Sequence, residues 1–275
     1  MNAIIQKELI DVDKQSLSKA IDTLVSRHES LRTLFLEREG MVLQKIYAED
    51  EFITNLSFEN ICKEENKQEK IKSIVDKAHK YLFDFEKEQS FKCKLIKYEK
   101  SKYVFIFVID HIIYDAYSLR IIDEELFLLY NSYCKGISNP LEPLKLQLRD
   151  YVSYHLQHYF GAKLAYHQSY FDNLFKNIPP RLRIKSNSLS NKKSDLIEKS
   201  SEIDIPDGGA YVFMLSKEMM DQIQMFITEM KISFFNFMLV SYGIFLSKIS
   251  DQNDFVIDSP MSTRNNEDFS KIIGW

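Results

Sequence analysis

The first half of the chain alternates β-forming runs with segments whose apolar residues recur at helical spacing. The β-forming runs are bounded by turn-like or charged residues and predict strands at Ala3–Ile10, Leu31–Leu36, Met41–Tyr47, Phe91–Tyr98 and Tyr103–Ile109. The second and third of these are predicted to pair as one hairpin, and the last two as another. The helical spacing predicts three helices. The first starts after Asp11 or Asp13, the second extends over Glu65–Leu82 and the third over Tyr117–Tyr133.

The second half of the chain is predicted to be mainly helical. The pattern indicates helices over Leu148–Phe175, Ser216–Glu229 and Ser233–Ile249, and short strands over Ala210–Leu215 and Phe255–Asp258. The uncharged run between Lys231 and Lys248 is shorter than the roughly 20 residues that a membrane-spanning helix needs. It also contains Asn236 and Gly243. We therefore interpret this run as a buried helix.

The composition changes between residues 176 and 209. This stretch contains Pro179-Pro180, a tract rich in Ser, Asn and Lys, and Gly208-Gly209, with few apolar residues. Such a composition is typical of a linker or an extended surface crossover. We therefore predict an N-terminal lobe over residues 1–175, a linker or crossover over 176–209, and a partial C-terminal lobe over 210–275. Strands interleaved with long helices in two unequal halves indicate an α/β protein.

The overall charge gives no sign of a nucleic acid or anionic membrane partner. The 275 residues carry a formal net charge of −4, and the pI is about 5.9. Cys62, Cys93 and Cys134 are far apart and form no C-x-x-C pair. We expect a reducing, cytoplasmic location.

His111 is the strongest candidate for chemistry. It follows the predicted strand Tyr103–Ile109 directly and lies between Asp110 and Asp115. A histidine at the end of a strand can reach a cleft, and its imidazole suits proton transfer near neutral pH. Taken alone, such a histidine is more often structural. Asp115 could orient the imidazole, but if a helix has already begun there, its carboxylate would point away and do structural work.

The other candidate sites are weaker. His155 and His158 are three residues apart on a predicted helix, but neither an acid nor a cysteine supplies a clear third metal ligand. His167 is about half a turn off their face, so we predict no metal site. Ser118 lacks the G-x-S-x-G context of a nucleophile and suits a helix start, and Gly208-Gly209 lacks the spacing of a phosphate loop.

Asp110–Ser118 resembles the HHxxxDGxS signature of the condensation domains of nonribosomal peptide synthetases, members of the chloramphenicol-acetyltransferase-like superfamily. Further segments resemble family motifs in the family's order. They are Arg27–Thr33, Phe83–Phe85, the block from Asp254 to Arg264, and Ile272–Trp275. The resemblance thus extends over nearly the whole chain.

The resemblance implies a two-lobed chloramphenicol-acetyltransferase-like fold whose second lobe is incomplete. It implies a tunnel between the lobes, at which carrier proteins deliver acyl groups as phosphopantetheine thioesters. His111 would be the catalytic residue, accepting a proton from the acceptor amine or holding that amine. Asp115 and Arg264 would form a structural pair. The implied partners are peptidyl or acyl carrier domains and adjoining synthetase modules, with no directly bound cofactor, no nucleic acid and no membrane.

The chain departs from the family pattern at two positions of the signature. Asp110 replaces the first histidine, and Ala116 replaces the glycine. If residue 116 needed a positive φ or lay against substrate, its methyl group would be unfavourable. The family's opening helix is not found before Met1, and its later strands are not found after Trp275. Two alternatives therefore stay open: an acyltransferase that uses coenzyme A or a carrier, and a noncatalytic condensation-like domain that recruits partners.

Overall fold

The computed structural model describes residues 2–49, 51, 56–160, 162–184, 213–259, 264 and 267–274. Spatial clustering divides the chain into two units, one of residues 1–164 and 262–275 and the other of residues 165–261. Residues 185–209 of the predicted linker, including Gly208-Gly209, lie outside the described part. The lobe boundaries predicted from composition stay a prediction.

The first unit is built on a four-stranded sheet and a two-stranded hairpin. Its described strands are β1 Asn2–Ile10, β2 Thr33–Arg38, β3 Met41–Ile46, β4 Leu56–Asn60, β5 Phe91–Lys97 and β6 Lys102–Asp110. The sheet has the order β1-β6-β5-β4. Strand β6 pairs antiparallel with both β1 and β5, and β4 pairs parallel with β5. The central position of β6 explains its unbroken apolar run, because both of its faces are covered.

Both predicted hairpins are confirmed. Strands β2 and β3 pair antiparallel with Arg38 opposite Met41. The connecting Glu39 and Gly40 have φ values of 54° and 76°. Two successive positive φ angles are typical of the tight turns that match the twist of a hairpin. Strands β5 and β6 form the second hairpin, in which Lys97 lies opposite Tyr103.

The helices of the first unit are α1 Lys14–Arg27, α2 Lys67–His79, α3 Ala116–Cys134 and α4 Leu148–Tyr159. Asp13 caps α1, since its side chain accepts a hydrogen bond from the Gln15 amide. Alternate residues of β6 point to opposite faces of the sheet. Phe105 and Phe107 join α1 and α3 in the larger core, and Val104 and Ile106 face the smaller core with α2.

The single helix predicted over Leu148–Phe175 is wrong. The structure has α4 followed by a separate helix, α5 Ala162–Leu174. Phe160 ends α4 with an extended backbone, φ −99° and ψ 159°. The sequence continues with Gly161, a poor helix former. The apolar periodicity of the sequence continues across this point, so it did not reveal that the helix is interrupted.

In the second unit, both predicted helices are confirmed as α6 Lys217–Met230 and α7 Phe234–Ser250. Ser216 and Ser233 cap them through their side-chain oxygens. The predicted strand Phe255–Asp258 is wrong, because the described residues of this unit contain no strand with which it could pair. Residues 210–212 of the other predicted strand lie outside the described part, and Phe213–Leu215 are not in a strand.

The interpretation of Lys231–Lys248 as a buried helix is also wrong. Leu246 is the only apolar residue of α7 that is buried. Several of its large apolar side chains are exposed, namely Phe234, Phe235, Met238, Val240, Tyr242, Ile244 and Phe245. Of the helices that the structure describes, none alone has the length and apolar composition of a membrane span. Helices α6 and α7 pass that test only as a pair bent by 105°.

Candidate active site

His111 lies at the exposed end of the central strand. Strand β6 ends at Asp110, and a short 3-10 turn follows over His111–Ile113. The Asp110 carboxylate caps this turn by accepting a hydrogen bond from the Ile112 amide at 3.0 Å. The His111 side chain is exposed, and its ring lies against that of Tyr114 with 4.7 Å between centroids. The imidazole is therefore not packed into the solid interior.

Tyr114 provides one uncharged wall beside this imidazole. It is 8% exposed. Burial, and secondarily the charge of Asp110, raises the pKa of Tyr114 above its usual value. The phenol is therefore protonated at neutral pH, and its ring presents a neutral surface to His111.

Asp115 lies at the start of α3, where its carboxylate makes contacts within the fold. It is the N-cap of α3 and forms a capping box with Ser118. Its Oδ1 accepts hydrogen bonds from the Ser118 amide at 2.7 Å and from the Ser118 hydroxyl at 2.6 Å. Its Oδ2 lies 2.9 Å from Arg264 Nη2.

Arg264 connects the start of α3 to the last described residues of the chain. Its side chain is only 8% exposed. Besides Asp115, its guanidinium donates hydrogen bonds to the carbonyl oxygens of Ile272 and Gly274. The Gly274 amide in turn donates to Ser118 Oγ at 3.1 Å. The Ser118 side chain is fully buried in these bonds, as expected for a serine at a helix start.

Ala116 is compatible with its backbone. It is the first residue of α3 and is exposed, and it is not among the residues with a positive φ angle. The backbone at this position of the signature therefore does not require glycine in this chain. Its methyl group points out of the packed core.

Sequence reasoning missed a second polar network beneath α3. His28 is 1% exposed, and its Nε2 lies 2.7 Å from Glu125 Oε2. Arg27 Nε lies 3.1 Å from the same oxygen.

The surroundings of this network change the pKa of two of its members. Burial lowers the pKa of His28. Burial opposes the ionisation of Glu125, but its bond with His28 and the charge of Arg27 hold its pKa below the usual value. The signal for this network was the charged triplet Arg27–Glu29 directly before a buried segment.

Of the remaining histidine candidates, the two whose side chains the structure describes, His155 and His167, are not part of a metal site. His155 lies on α4 with its ring 5.7 Å from that of Tyr151, and His167 is an exposed residue of α5. His158 lies on α4, but its side chain is outside the described part. Within the described ranges, no three His, Cys, Asp or Glu side chains form a group that could hold a metal ion.

A comparison with protein families decides which family this site belongs to. The family model described as Condensation domain matches residues 5–275. The chain belongs to the condensation domain family. The resemblance carried by Asp110–Ser118 and the other motifs is thereby confirmed.

This condensation domain is similar to segments of much longer peptide synthases. It is 27% identical over 263 residues to gramicidin S synthase 2 of Brevibacillus brevis, a match that covers 96% of this chain and 5% of that protein. It is 28% identical over 264 residues to surfactin synthase subunit 1 of Bacillus subtilis (strain 168), covering 96% of this chain and 7% of that one. The chain therefore spans a small part of these relatives.

Solved structures confirm the predicted α/β fold class. The first condensation domain of the calcium-dependent antibiotic synthetase superposes with a TM-score of 0.75 at 16% identity. The match covers 99% of this chain and 62% of that structure. At this identity the likeness establishes the fold.

Proposed function

We propose that this domain forms an amide bond between acyl or aminoacyl groups carried as thioesters on the phosphopantetheine arms of carrier domains. The acceptor amine attacks the donor thioester carbonyl, so that a C–N bond forms and the C–S bond breaks. The proton lost by the amine ends on the departing thiolate. The chain shares a family with segments of synthases that make peptides, and its charge and cysteines suit a cytoplasmic reaction.

The observation that carries this proposal is the exposed His111 at the end of β6, at the position of the second histidine of the signature. We propose that its imidazole accepts the proton of the attacking amine or positions that amine. The turn that carries His111 is held by the hydrogen bond that Asp110 accepts from the Ile112 amide and by the contact of the His111 ring with Tyr114. Asp115 and Arg264 support the site by fixing the start of α3.

The test uses a donor carrier loaded with an acyl group and an acceptor carrier loaded with an aminoacyl group. We expect the His111→Ala variant to lose about 10²- to 10⁴-fold of the transfer rate, the usual contribution of a general acid–base group. His167→Ala, an exposed histidine of α5, should keep the parent rate. Circular dichroism of each variant checks folding. An unchanged rate in folded His111→Ala would remove the catalytic role.

The departures from the family signature at Asp110 and Ala116 leave a second candidate, a noncatalytic domain that recruits carrier or synthetase partners. The same assay separates the candidates. A parent chain that binds loaded carriers but transfers nothing would support recruitment. Transfer from a free coenzyme A thioester to a small acceptor, without any carrier, would instead indicate the acyltransferase alternative.

A further inference from the structure

A cavity of about 380 Å³ lies between α2 and the face of the sheet that packs against this helix. Its walls come from α2 and the residues just after it, and from strands β4, β5 and β6. The signature residues of the family do not line it. The proposed amide-forming chemistry uses none of its side chains.

Lysines outnumber carboxylates in the lining of this cavity, although the chain as a whole carries a net charge of −4. Lys70 and Lys77 line it from α2, and Lys92 and Lys94 line it from β5. Glu59 is the only carboxylate among its lining residues. The local excess of positive charge therefore arises from the fold, which brings lysines of two elements to one space.

Two of the lysines are already paired. Lys94 Nζ lies 2.8 Å from Glu59 Oε2, and Lys92 Nζ lies 2.7 Å from Glu88 Oε2. Lys92 also donates a hydrogen bond to the Tyr81 hydroxyl. These contacts fix the two ammonium groups on the strand side of the cavity.

Lys70 and Lys77 differ from them, because the described residues provide neither with a side-chain hydrogen bond or an ion pair. They are seven residues apart on α2, which places both on the same face, about 10.5 Å apart along the helix axis. The pKa of Glu59 is lowered mainly by its bond with Lys94, and the charges of Lys70 and Lys77 lower it further.

The other lining groups complete a site for a small anion. Ser73 adds a hydroxyl from α2, and Ile74, Ile106 and Val108 form an apolar wall. Lys70 and Lys77 are exposed, so their attraction for an anion is screened by salt and is strongest at low ionic strength. Phosphate groups are frequent partners of lysine, which acts on them as a point charge.

We propose that this cavity binds a small molecule bearing a diphosphate group, held between Lys70 and Lys77 with Lys92 and Lys94 at the opposite wall. Two phosphoryl groups match two cations whose long side chains can converge on one ligand. The site is independent of the amide-forming site. It therefore stands or falls separately from the proposed function.

The test is a calorimetric titration of the full chain with inorganic pyrophosphate at low ionic strength. We expect saturable binding with one site per chain. Lys70→Gln and Lys77→Gln should each weaken it by about tenfold, the loss expected for one charge-assisted bond. The control is the double variant Lys72→Gln/Lys100→Gln, which removes two exposed lysines that do not line the cavity. It should bind as the parent does, although it removes one more positive charge than either single variant.

A second titration with a nucleoside diphosphate distinguishes a site for free pyrophosphate from one for a larger ligand. Tighter binding of the nucleoside diphosphate would show that the apolar wall takes part, and equal binding would show recognition of the diphosphate alone. Absence of saturable binding of both probes to the folded parent would overturn the proposal. Equal weakening in the control double variant would also overturn it, because it would show attraction by overall charge.

Discussion

The buried His28 is expected to make the stability of the fold depend on pH. Burial lowers its pKa below the usual 6.5, so the unfolded chain binds a proton more readily than the folded chain. The contribution of neutral His28 to the free energy of unfolding is therefore fully present well above pH 6.5, and it is lost as the pH falls below this value. Between pH 7.5 and 5.5 we expect the free energy of unfolding to decrease by about 1 kcal/mol. Urea denaturation at the two pH values measures this difference.

The matched variants are His28→Gln, which can still donate a hydrogen bond to Glu125, and His167→Gln on the surface. The first should lose most of the decrease and the second should keep it. A decrease of equal size in His28→Gln would show that another group causes it. Glu125 acts in a lower range, since its pKa lies below 4.5 and its contribution is lost as the pH falls further.

Single residues also show what the sequence can and cannot predict. The position of His111 follows from a local pattern, a strand that ends in a histidine. Arg264 lies 149 residues from Asp115, so no local pattern predicts their contact, and only the family resemblance suggested it. The bond between His28 and Glu125, 97 residues apart, had no such guide.

At the scale of elements, the segment 267–274 of the first unit is held on α4 through close packing of Gly274 against Leu148. This glycine has a φ of 149°, and a Cβ atom built there would lie 2.6 Å from both methyl carbons of Leu148. We expect Gly274→Ala to lower the free energy of unfolding by about 2 kcal/mol, through overpacking and backbone strain together. Thermal or urea unfolding measures the change.

Gly136→Ala provides a reference for a positive φ without overpacking. Gly136 also has a positive φ, 70°, but a Cβ atom there would have no neighbour within 4 Å. It should therefore show the strain without the overpacking and cost less. Replacing Leu148 by Ala in the Gly274→Ala background should recover part of the loss. Equal losses for the two glycine variants would contradict the packing argument.

Element prediction succeeded where the pattern of the segment itself decides the structure. Both hairpins and the capped helices α1, α6 and α7 are set by alternation, turn residues and N-cap side chains within a few residues. The strand at Phe255–Asp258 failed, because a strand exists only if another strand pairs with it. The helix over Leu148–Phe175 failed, because periodicity cannot show where a helix is interrupted.

At the scale of the whole molecule, the two units differ in how they bury apolar residues. The first unit has two cores, one on each face of its sheet. Helix α7 of the second unit keeps most of its apolar side chains exposed. The sequence could not predict this difference. An apolar run indicates that a helix is usually buried, but it does not show which residues bury it.

We expect the exposed face of α7 to make the isolated chain bind a hydrophobic dye and associate as its concentration rises. Phe234, Met238 and Phe245 lie on one side of this helix, and each is more than 40% exposed. Contiguous apolar surface of this kind promotes association in water.

The triple variant with Gln at Phe234, Met238 and Phe245 should reduce both dye fluorescence and the association detected by sedimentation. Gln at Ile10, Leu82 and Leu128, which are exposed but scattered, should change neither. If the scattered variant reduced association as strongly as the α7 variant, general surface hydrophobicity and not the face of α7 would be the cause.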